Sequence, residues 1–240
     1  SMADTTASEK QALRAALVRG AEKTFDNAEQ LFREARLLTQ AGAIARALCL
    51  HQLSLEECAK VDTLGAWAVS ELLGYAVDQK RVLAALRQHA AKNRTNAYLL
   101  ELSDGELDAR ARGDLAGALA AFKQTQAAVH ANANLAKNAA LYVDWVDGAF
   151  VAPAERITSE MLAEIVERNA EFLGFASTNL KSLQRLEAEP DAIGALLSGF
   201  VEQVETLRAE KPGDVIAGIE ALLANFLEAG AARLKDRPSG

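Results

Sequence analysis

The sequence predicts an all-α fold, a bundle of long antiparallel helices with a C-terminal helical extension. Half of the 240 residues are hydrophobic, which is enough to bury one sizeable core. Alanine and leucine dominate the apolar residues and only 5% of the chain is aromatic, which favours helices over a sheet. We therefore predict a single all-helical domain over residues 1–240, with a bundle core at about 8–145 and C-terminal helices at about 155–235.

The first half of the chain is predicted to form three helices. Apolar residues recur at helical spacing over residues 9–40, which predicts one long helix. Gly42 separates it from a second helix at residues 43–73, and a third is predicted at residues 78–102. The third helix is followed by Ser-Asp-Gly at residues 103–105, a composition typical of a turn.

The second half is predicted to contain two long helices and two shorter ones. Asp114 can cap a fourth helix that runs to about residue 145. A loop is predicted at residues 147–153, followed by a fifth helix that Thr158 or Ser159 can cap and that ends near residue 186. The two shorter helices are predicted at residues 191–209 and 213–234.

Charge and composition narrow the classes of function. The net charge of −7 disfavours a protein that coats nucleic acid through general electrostatics. No run approaches the roughly 20 apolar residues that span a bilayer, so we expect a cytoplasmic protein with no membrane partner. Cys49 and Cys58 both lie in an apolar helical stretch, which predicts buried, reduced thiols. Metal-ligand spacings and glycine-rich phosphate loops are missing from the sequence, so we expect neither a metal nor a cofactor.

The second predicted helix carries acidic residues whose angular positions differ. At about 100° per residue, Glu57 lies within about 40° of four apolar residues, Leu50, Leu53, Val61 and Leu64. A carboxylate on such a face needs a partner, and Lys60 and Arg46 are the local candidates. Glu56 falls on the flank, where we expect it to be solvated beside Lys60. A structural ion pair and a functional one are both consistent with this pattern.

The third and fourth predicted helices add further polar candidates. His89 and Asn93 interrupt an apolar face, and Lys92 lies three residues after His89, within reach of a common ligand. A histidine beside a lysine suits proton transfer and the stabilisation of phosphoryl charge, although a hydrogen-bonded core histidine is the alternative. At the end of the fourth helix, Lys137 and Tyr142 can reach opposite sides, while Tyr142 and Asp144 also suit packing and turn capping.

Three segments in this order resemble the AbiV family of bacterial abortive-infection proteins. Members carry a comparable Glu-Glu-x-x-Lys helix, then a histidine and a lysine, then a Leu-Tyr-Val-Asp segment followed by a glycine and a proline. The matching segments here are Leu55-Glu56-Glu57-Cys58-Ala59-Lys60, His89-Ala90-Ala91-Lys92, and Lys137 to Asp144 with its Leu141-Tyr142-Val143-Asp144 core, followed by Gly148 and Pro153. The resemblance covers residues 28–161 and leaves the C-terminal part of the chain unmatched.

The resemblance implies a HEPN-like helical bundle that acts in phage defence, where an infected cell halts its own metabolism. Many HEPN proteins are dimeric endoribonucleases that need no metal, so the resemblance implies a homodimer that acts on RNA or the translation machinery. A phage-encoded activator protein is a further implied partner. The alternative is a non-catalytic helical binding module that sequesters a phage or host factor.

The HEPN nuclease signature, an arginine and a following histidine with four to six residues between them, is matched in this sequence by Arg46 and His51 alone. A five-residue offset separates two side chains by about 140° on one helix, so these two are not expected to converge. We instead assign catalysis to His89 as general acid or base, with Lys92 and Lys60 positioning the phosphate and Glu57 orienting one of them. The predicted binding residues are Arg46, Asn93, Lys137, Tyr142 and Asp144.

Overall fold

The computed structural model describes residues 6–88 and 103–210, together with residues 216, 218 and 219. Over these residues the chain is almost entirely helical, which confirms the predicted all-α class. Its elements, in chain order, are α1 (Ala7–Gln40), α2 (Ile44–Leu72), α3 (Gln79–Arg87), α4 (Asp104–Ala111), α5 (Leu115–Leu141), β1 (Asp144–Val146), β2 (Ala149–Val151), α6 (Pro153–Arg156), α7 (Ser159–Ala188), α8 (Pro190–Leu197), a 3₁₀ turn (Ser198–Phe200) and α9 (Val201–Glu210).

α1 and α2 form an antiparallel pair because the chain reverses tightly between them. Thr6 begins α1 with a capping box, in which its hydroxyl accepts from the Glu9 amide at 3.2 Å and the Glu9 carboxylate accepts from the Thr6 amide at 2.7 Å. Gly42 follows the end of α1 with φ of +75°, a conformation that glycine adopts without strain. Fully buried alanines on α1, Ala21 and Ala28 among them, allow close approach of the neighbouring helices.

α2 is the central helix and packs against α1, α5 and α7. Its C-terminal half contributes to the larger apolar core, where Trp67 lies with Leu17 of α1 and Phe172 of α7. Its N-terminal half contributes to a second cluster, in which Leu48 meets Ala140 of α5. A helix covered on three sides is apolar almost all round, so any polar side chain on it is forced into contact with a neighbour.

The third predicted helix, at residues 78–102, is not continuous, and its residues 89–102 lie outside the described residues. α3 ends at Arg87 because Gln88 adopts an extended backbone, with φ of −91° and ψ of 124°. The predicted turn at residues 103–105 instead begins α4, where the Ser103 hydroxyl accepts from the Glu106 amide at 3.3 Å. A serine followed by acidic residues, here Asp104 and Glu106, is also typical of the first turn of a helix, and the segment forms a helix start instead of a turn.

The fourth predicted helix begins as expected and ends early. The Asp114 carboxylate caps α5 by accepting from the Gly117 amide at 2.8 Å. α5 ends at Leu141 because Tyr142 is extended, and residues 144–151 form a β-hairpin where helix and loop were predicted. The Asp147-Gly148 pair supplies the turn, with φ of +49° and +89°.

Of the remaining predictions, the fifth helix and the buried thiols agree with the structure, whereas the helix predicted at residues 191–209 is divided by the 3₁₀ turn into α8 and α9. The helix predicted at residues 213–234 lies largely outside the described residues. Thr158 caps α7 by accepting from the Met161 amide at 3.2 Å, and Pro190 begins the next helix. Cys49 and Cys58 are free, buried thiols, and burial raises the pKa of both. Over the described part of the chain, every helix is too short or too polar to span a bilayer.

Candidate functional site

Glu56 and Lys137 form a buried ion pair that joins two segments of the family motif. Lys137 Nζ on α5 lies 2.9 Å from Glu56 Oε1 on α2, and their side chains are 13% and 2% exposed. The prediction of a solvated Glu56 is therefore wrong. On an isolated helix this position is a flank, but α5 packs over that side of α2 and makes it interior.

The ion pair holds the two helices together and is poorly placed to meet a ligand. A carboxylate that is 2% exposed is stabilised only where a cation or donor meets it, and Lys137 supplies that cation. The pKa of the Cys49 thiol is raised mainly by burial. The charge of Lys137 lowers this pKa, and the charge of Glu56 raises it. Lys137, predicted to bind a ligand, is thus engaged by the fold.

Glu57 and Lys60 form a second, more accessible pair on α2. Lys60 Nζ contacts Glu57 Oε1, and Asn27 of α1 donates to Glu57 Oε2 at 3.1 Å. The Glu57 and Lys60 side chains are 14% and 23% exposed. Of the two partners that the sequence offered for Glu57, Lys60 is therefore the one in contact. Arg46 is exposed and lies about 16 Å from Glu57 along the helix axis.

His51, Ser54 and Asn169 form a buried polar cluster between α2 and α7. Asn169 Nδ2 lies 3.0 Å from His51 Nδ1, and the Ser54 hydroxyl is 3.1 Å from Asn169 Oδ1. The same hydroxyl donates to the Ala28 carbonyl at 2.7 Å, which ties α1 to the cluster. Phe32 packs edge-on against the imidazole, with ring centroids 5.0 Å apart.

Burial keeps His51 neutral. It lowers the pKa of His51 to about 4, so the imidazole is uncharged at neutral pH and Nδ1 accepts from Asn169. The Nε2 atom has no hydrogen-bond partner within the described residues. Arg46 is exposed while His51 is fully buried, so the only HEPN-type spacing in the sequence does not converge on one surface.

Sequence reasoning missed this cluster. His51 and Ser54 lie three residues apart, on one face of α2, which was a usable signal that both side chains meet one partner. The partner could not be found in that way, because Asn169 lies 118 residues from His51 and its position depends on how α7 crosses α2.

The hairpin places aromatic side chains in solvent. Tyr142, Trp145 and Phe150 are 62%, 59% and 73% exposed, and the Trp145 and Phe150 rings stack edge-on at 4.9 Å. Asp144 accepts from the Trp145 amide at 2.8 Å and lies 3.5 Å from Arg156 Nη1. Tyr142 points outward while Lys137 points into the bundle, as their predicted opposite sides required.

Three of the predicted site residues, His89, Lys92 and Asn93, lie outside the described residues. Of the predicted catalytic set, the structure places Glu57 and Lys60 in direct contact. Of the predicted binding set, Lys137 is largely enclosed against Glu56, Tyr142 and Asp144 are exposed together at the hairpin, and Arg46 is exposed on α2.

Asp62 is a further titratable group on α2 that the sequence did not single out. Asn179 of α7 donates to its carboxylate, and burial raises the pKa of Asp62 to about 7 while that hydrogen bond acts in the opposite direction. Between pH 3.8, the pKa of Asp62 in the unfolded chain, and about 7, the folded chain keeps the proton of this carboxyl group while the unfolded chain has lost it. Asp62 therefore stabilises the fold at low pH and progressively less as the pH rises through about 7.

His51 has the opposite linkage over the same range. The pKa of His51 is 6.5 in the unfolded chain and about 4 in the folded chain. Between these two pH values the unfolded chain binds a proton that the folded chain does not, so acid favours unfolding. We expect the two effects to offset in the wild type between about pH 4 and 6.5.

The Asp62→Asn variant should be more stable than the wild type at pH 8 by about 1–2 kcal/mol, and should lose that advantage as the pH falls to 5. Urea denaturation at both pH values measures this, and a difference independent of pH would contradict the assignment.

The long antiparallel helices around a buried α2 define a HEPN-like all-α bundle. Residues 16–174, more than half of the chain, match the family model HEPN_AbiV, described as AbiV. The chain therefore belongs to the AbiV family, a HEPN-type family associated with abortive infection. The match includes most of α1, all of α2 and α5, the hairpin and the first half of α7, which carry both buried polar clusters.

The chain is also similar to a protein of Sinorhizobium fredii (strain NBRC 101917 / NGR234) named "Uncharacterized protein y4gJ". The two are 55% identical over 111 residues, which cover 46% of this chain and 58% of that protein. The chain thus spans less than two thirds of the length of this curated relative. No solved structure matches the chain.

Proposed function

We propose that this chain is an abortive-infection effector that shuts down translation or RNA metabolism in a phage-infected cell. Membership of the AbiV family is the observation that carries the proposal. The buried Glu56–Lys137 pair supports it, because it links two of the three segments on which the family resemblance rests. The homodimer and the phage-encoded activator that the family resemblance implies remain predictions.

As its mechanism we propose metal-independent cleavage of RNA. In this reaction His89 is the general acid or base, Lys92 and Lys60 hold the phosphate, and Glu57 orients a lysine. The partial exposure of the Glu57–Lys60 pair supports this assignment, because a phosphate can approach it from solvent. The burial and low pKa of His51 remove a competing histidine, since a proton donor enclosed in the core cannot reach RNA.

A specific observation favours the second candidate, a non-catalytic binding module that sequesters a phage or host factor. The polar motif residues Glu56 and Lys137 are used to join helices, whereas the aromatic motif residue Tyr142 is exposed. Exposed aromatic side chains are typical of protein-binding surfaces. On this reading His89 has no catalytic role.

Substitution of His89 separates the two mechanisms. Bacteria expressing the wild type, His89→Ala or the control His130→Ala are challenged with phage, and survival of the culture and integrity of total RNA are followed together. His130 is a suitable control because it lies on α5, half-buried, with Asn134 as a neighbour. We expect the wild type and His130→Ala to protect the culture and degrade RNA, and a folded His89→Ala to lose about 10²–10⁴-fold in cleavage rate.

Two outcomes would contradict the nuclease. Protection with intact RNA, or a His89→Ala variant that protects as well as the wild type, would favour the binding module. Circular dichroism of each purified variant establishes that a loss of protection is not a loss of fold.

A further inference from the structure

The β1–β2 hairpin holds an exposed aromatic pair on a fixed scaffold. Trp145 and Phe150 are directly opposite each other in the antiparallel register, and both face solvent. The Asp147-Gly148 turn has positive φ at both residues, as a type I′ turn requires, and such turns match the twist of a hairpin. The two rings are thus positioned before any partner arrives, which lowers the entropic cost of binding.

The exposed apolar surface extends beyond the aromatic pair. Leu141, Tyr142 and Val143 are 42%, 62% and 61% exposed, and they precede β1 without a break. Together with Trp145 and Phe150 they place five large apolar side chains in solvent within residues 141–150. Contiguous exposed apolar groups are uncommon on soluble proteins away from binding sites, and tryptophan and tyrosine are enriched among the residues that dominate binding energy.

The rim of this surface is acidic. Asp144 and Asp147 are exposed carboxylates within the hairpin, and the exposed Glu155 and Glu160 follow it in the chain on α6 and α7. Among the described residues of this segment, Arg156 lies 3.5 Å from Asp144 and offsets one of these charges. Nucleic acid and anionic membranes carry phosphate, so this rim repels both.

The same charges disfavour a second copy of the chain as the occupant. A two-fold contact between identical hairpin faces would bring the carboxylates of Asp144 and Asp147 in one copy near the equally acidic rim of the other. Like charges brought together at an interface cost free energy, and the whole chain carries a net charge of −7. The complementary occupant is a positively charged one.

We propose that this hairpin is the docking surface for a protein partner that presents apolar side chains bordered by lysine or arginine. The Trp145–Phe150 pair enters the apolar contact, and the carboxylates of the rim meet the cations around it. The docking surface is inferred from the hairpin itself. It rests on the proposed function in one respect, namely that the partner is a protein that the effector meets during infection. Its binding is expected to weaken as salt rises, since the rim is exposed.

Tryptophan fluorescence tests the proposal directly. The chain has two tryptophans, and Trp67→Phe leaves Trp145 as the only reporter. The probe is a synthetic amphipathic helical peptide of leucine and lysine, with a leucine and glutamate peptide of the same pattern as its control. We expect a saturable blue shift of Trp145 with the lysine peptide, little response to the glutamate peptide, and weaker binding at about 0.5 M salt. The Phe150→Ser variant should lose most of the response.

Several outcomes would overturn the proposal. They are an equal shift with the glutamate peptide, a shift with phosphatidylcholine vesicles in place of the peptide, or a response that Phe150→Ser leaves unchanged. A blue shift that grows with protein concentration alone would assign the surface to a second copy. If Trp67→Phe does not fold, the wild type gives the same readout, because Trp67 is 3% exposed and its emission stays constant. No phage enters this assay, so its failure leaves the proposed function to be decided by the infection experiment.

Discussion

Replacement of Lys137 with methionine is expected to lower the free energy of unfolding by about 3–5 kcal/mol, because it removes the cation that faces a buried carboxylate. Methionine keeps much of the volume of the lysine stem, so the effect reports mainly on charge. The Glu56 side chain is 2% exposed and cannot recover the loss by turning to solvent. Urea denaturation monitored by circular dichroism measures the change.

A double replacement distinguishes charge from packing. When Glu56→Gln is combined with Lys137→Met, the buried carboxylate charge is removed together with its cation, and most of the stability should return. Arg185→Met is the matched control, because its partner Glu189 is as exposed as Arg185 itself and such pairs contribute about 0–1 kcal/mol. A Lys137→Met variant no less stable than Arg185→Met would show that the buried pair does not hold α2 to α5.

Replacement of Asn169 with leucine is expected to destabilise the protein by about 2–4 kcal/mol. The change leaves His51 Nδ1 buried without its donor, and it removes a contact of the Ser54 hydroxyl. Ser54 keeps its bond to the Ala28 carbonyl, so the cost falls mainly on the imidazole. Differential scanning calorimetry at pH 7 measures the loss.

The companion variant is His51→Leu with Asn169→Leu. It replaces both polar partners with apolar side chains, and a buried pair removed in this way is often close to neutral. Asn27→Ala is the control, since Asn27 is exposed and its bond to Glu57 lies near the surface. If Asn169→Leu costs no more than Asn27→Ala, the cluster does not contribute to stability as described.

Helix positions were predictable because they depend on local signals. The cap Asp114 and the break at Gly42 were placed correctly from sequence, and Thr158 was one of the two caps predicted for α7, since each acts on its own neighbours in the chain. The hairpin was not predicted, because the helical pattern of α5 continues in the sequence up to Trp145. The Asp147-Gly148 pair was the available signal, and it is a strong indicator of a type I′ hairpin turn.

The site was less predictable because burial on α2 depends on three neighbours at once. Angular position on one helix assigned Glu57 to the interior and Glu56 to solvent, whereas α5 buries Glu56 more deeply. The Glu57–Lys60 contact was predictable because it spans three residues of the same helix. Asn169 and Asn179 on α7 could not be paired with His51 and Asp62, since more than a hundred residues separate them.

One-step phage growth in bacteria that express this chain is the most direct test of an abortive-infection effector. The measurement compares phage adsorption, progeny per infected cell and survival of infected cells against an empty vector. We predict unchanged adsorption, far fewer progeny per infected cell, and death or arrest of those cells. Normal progeny from cells that contain the folded protein, across a panel of phages, would contradict the account.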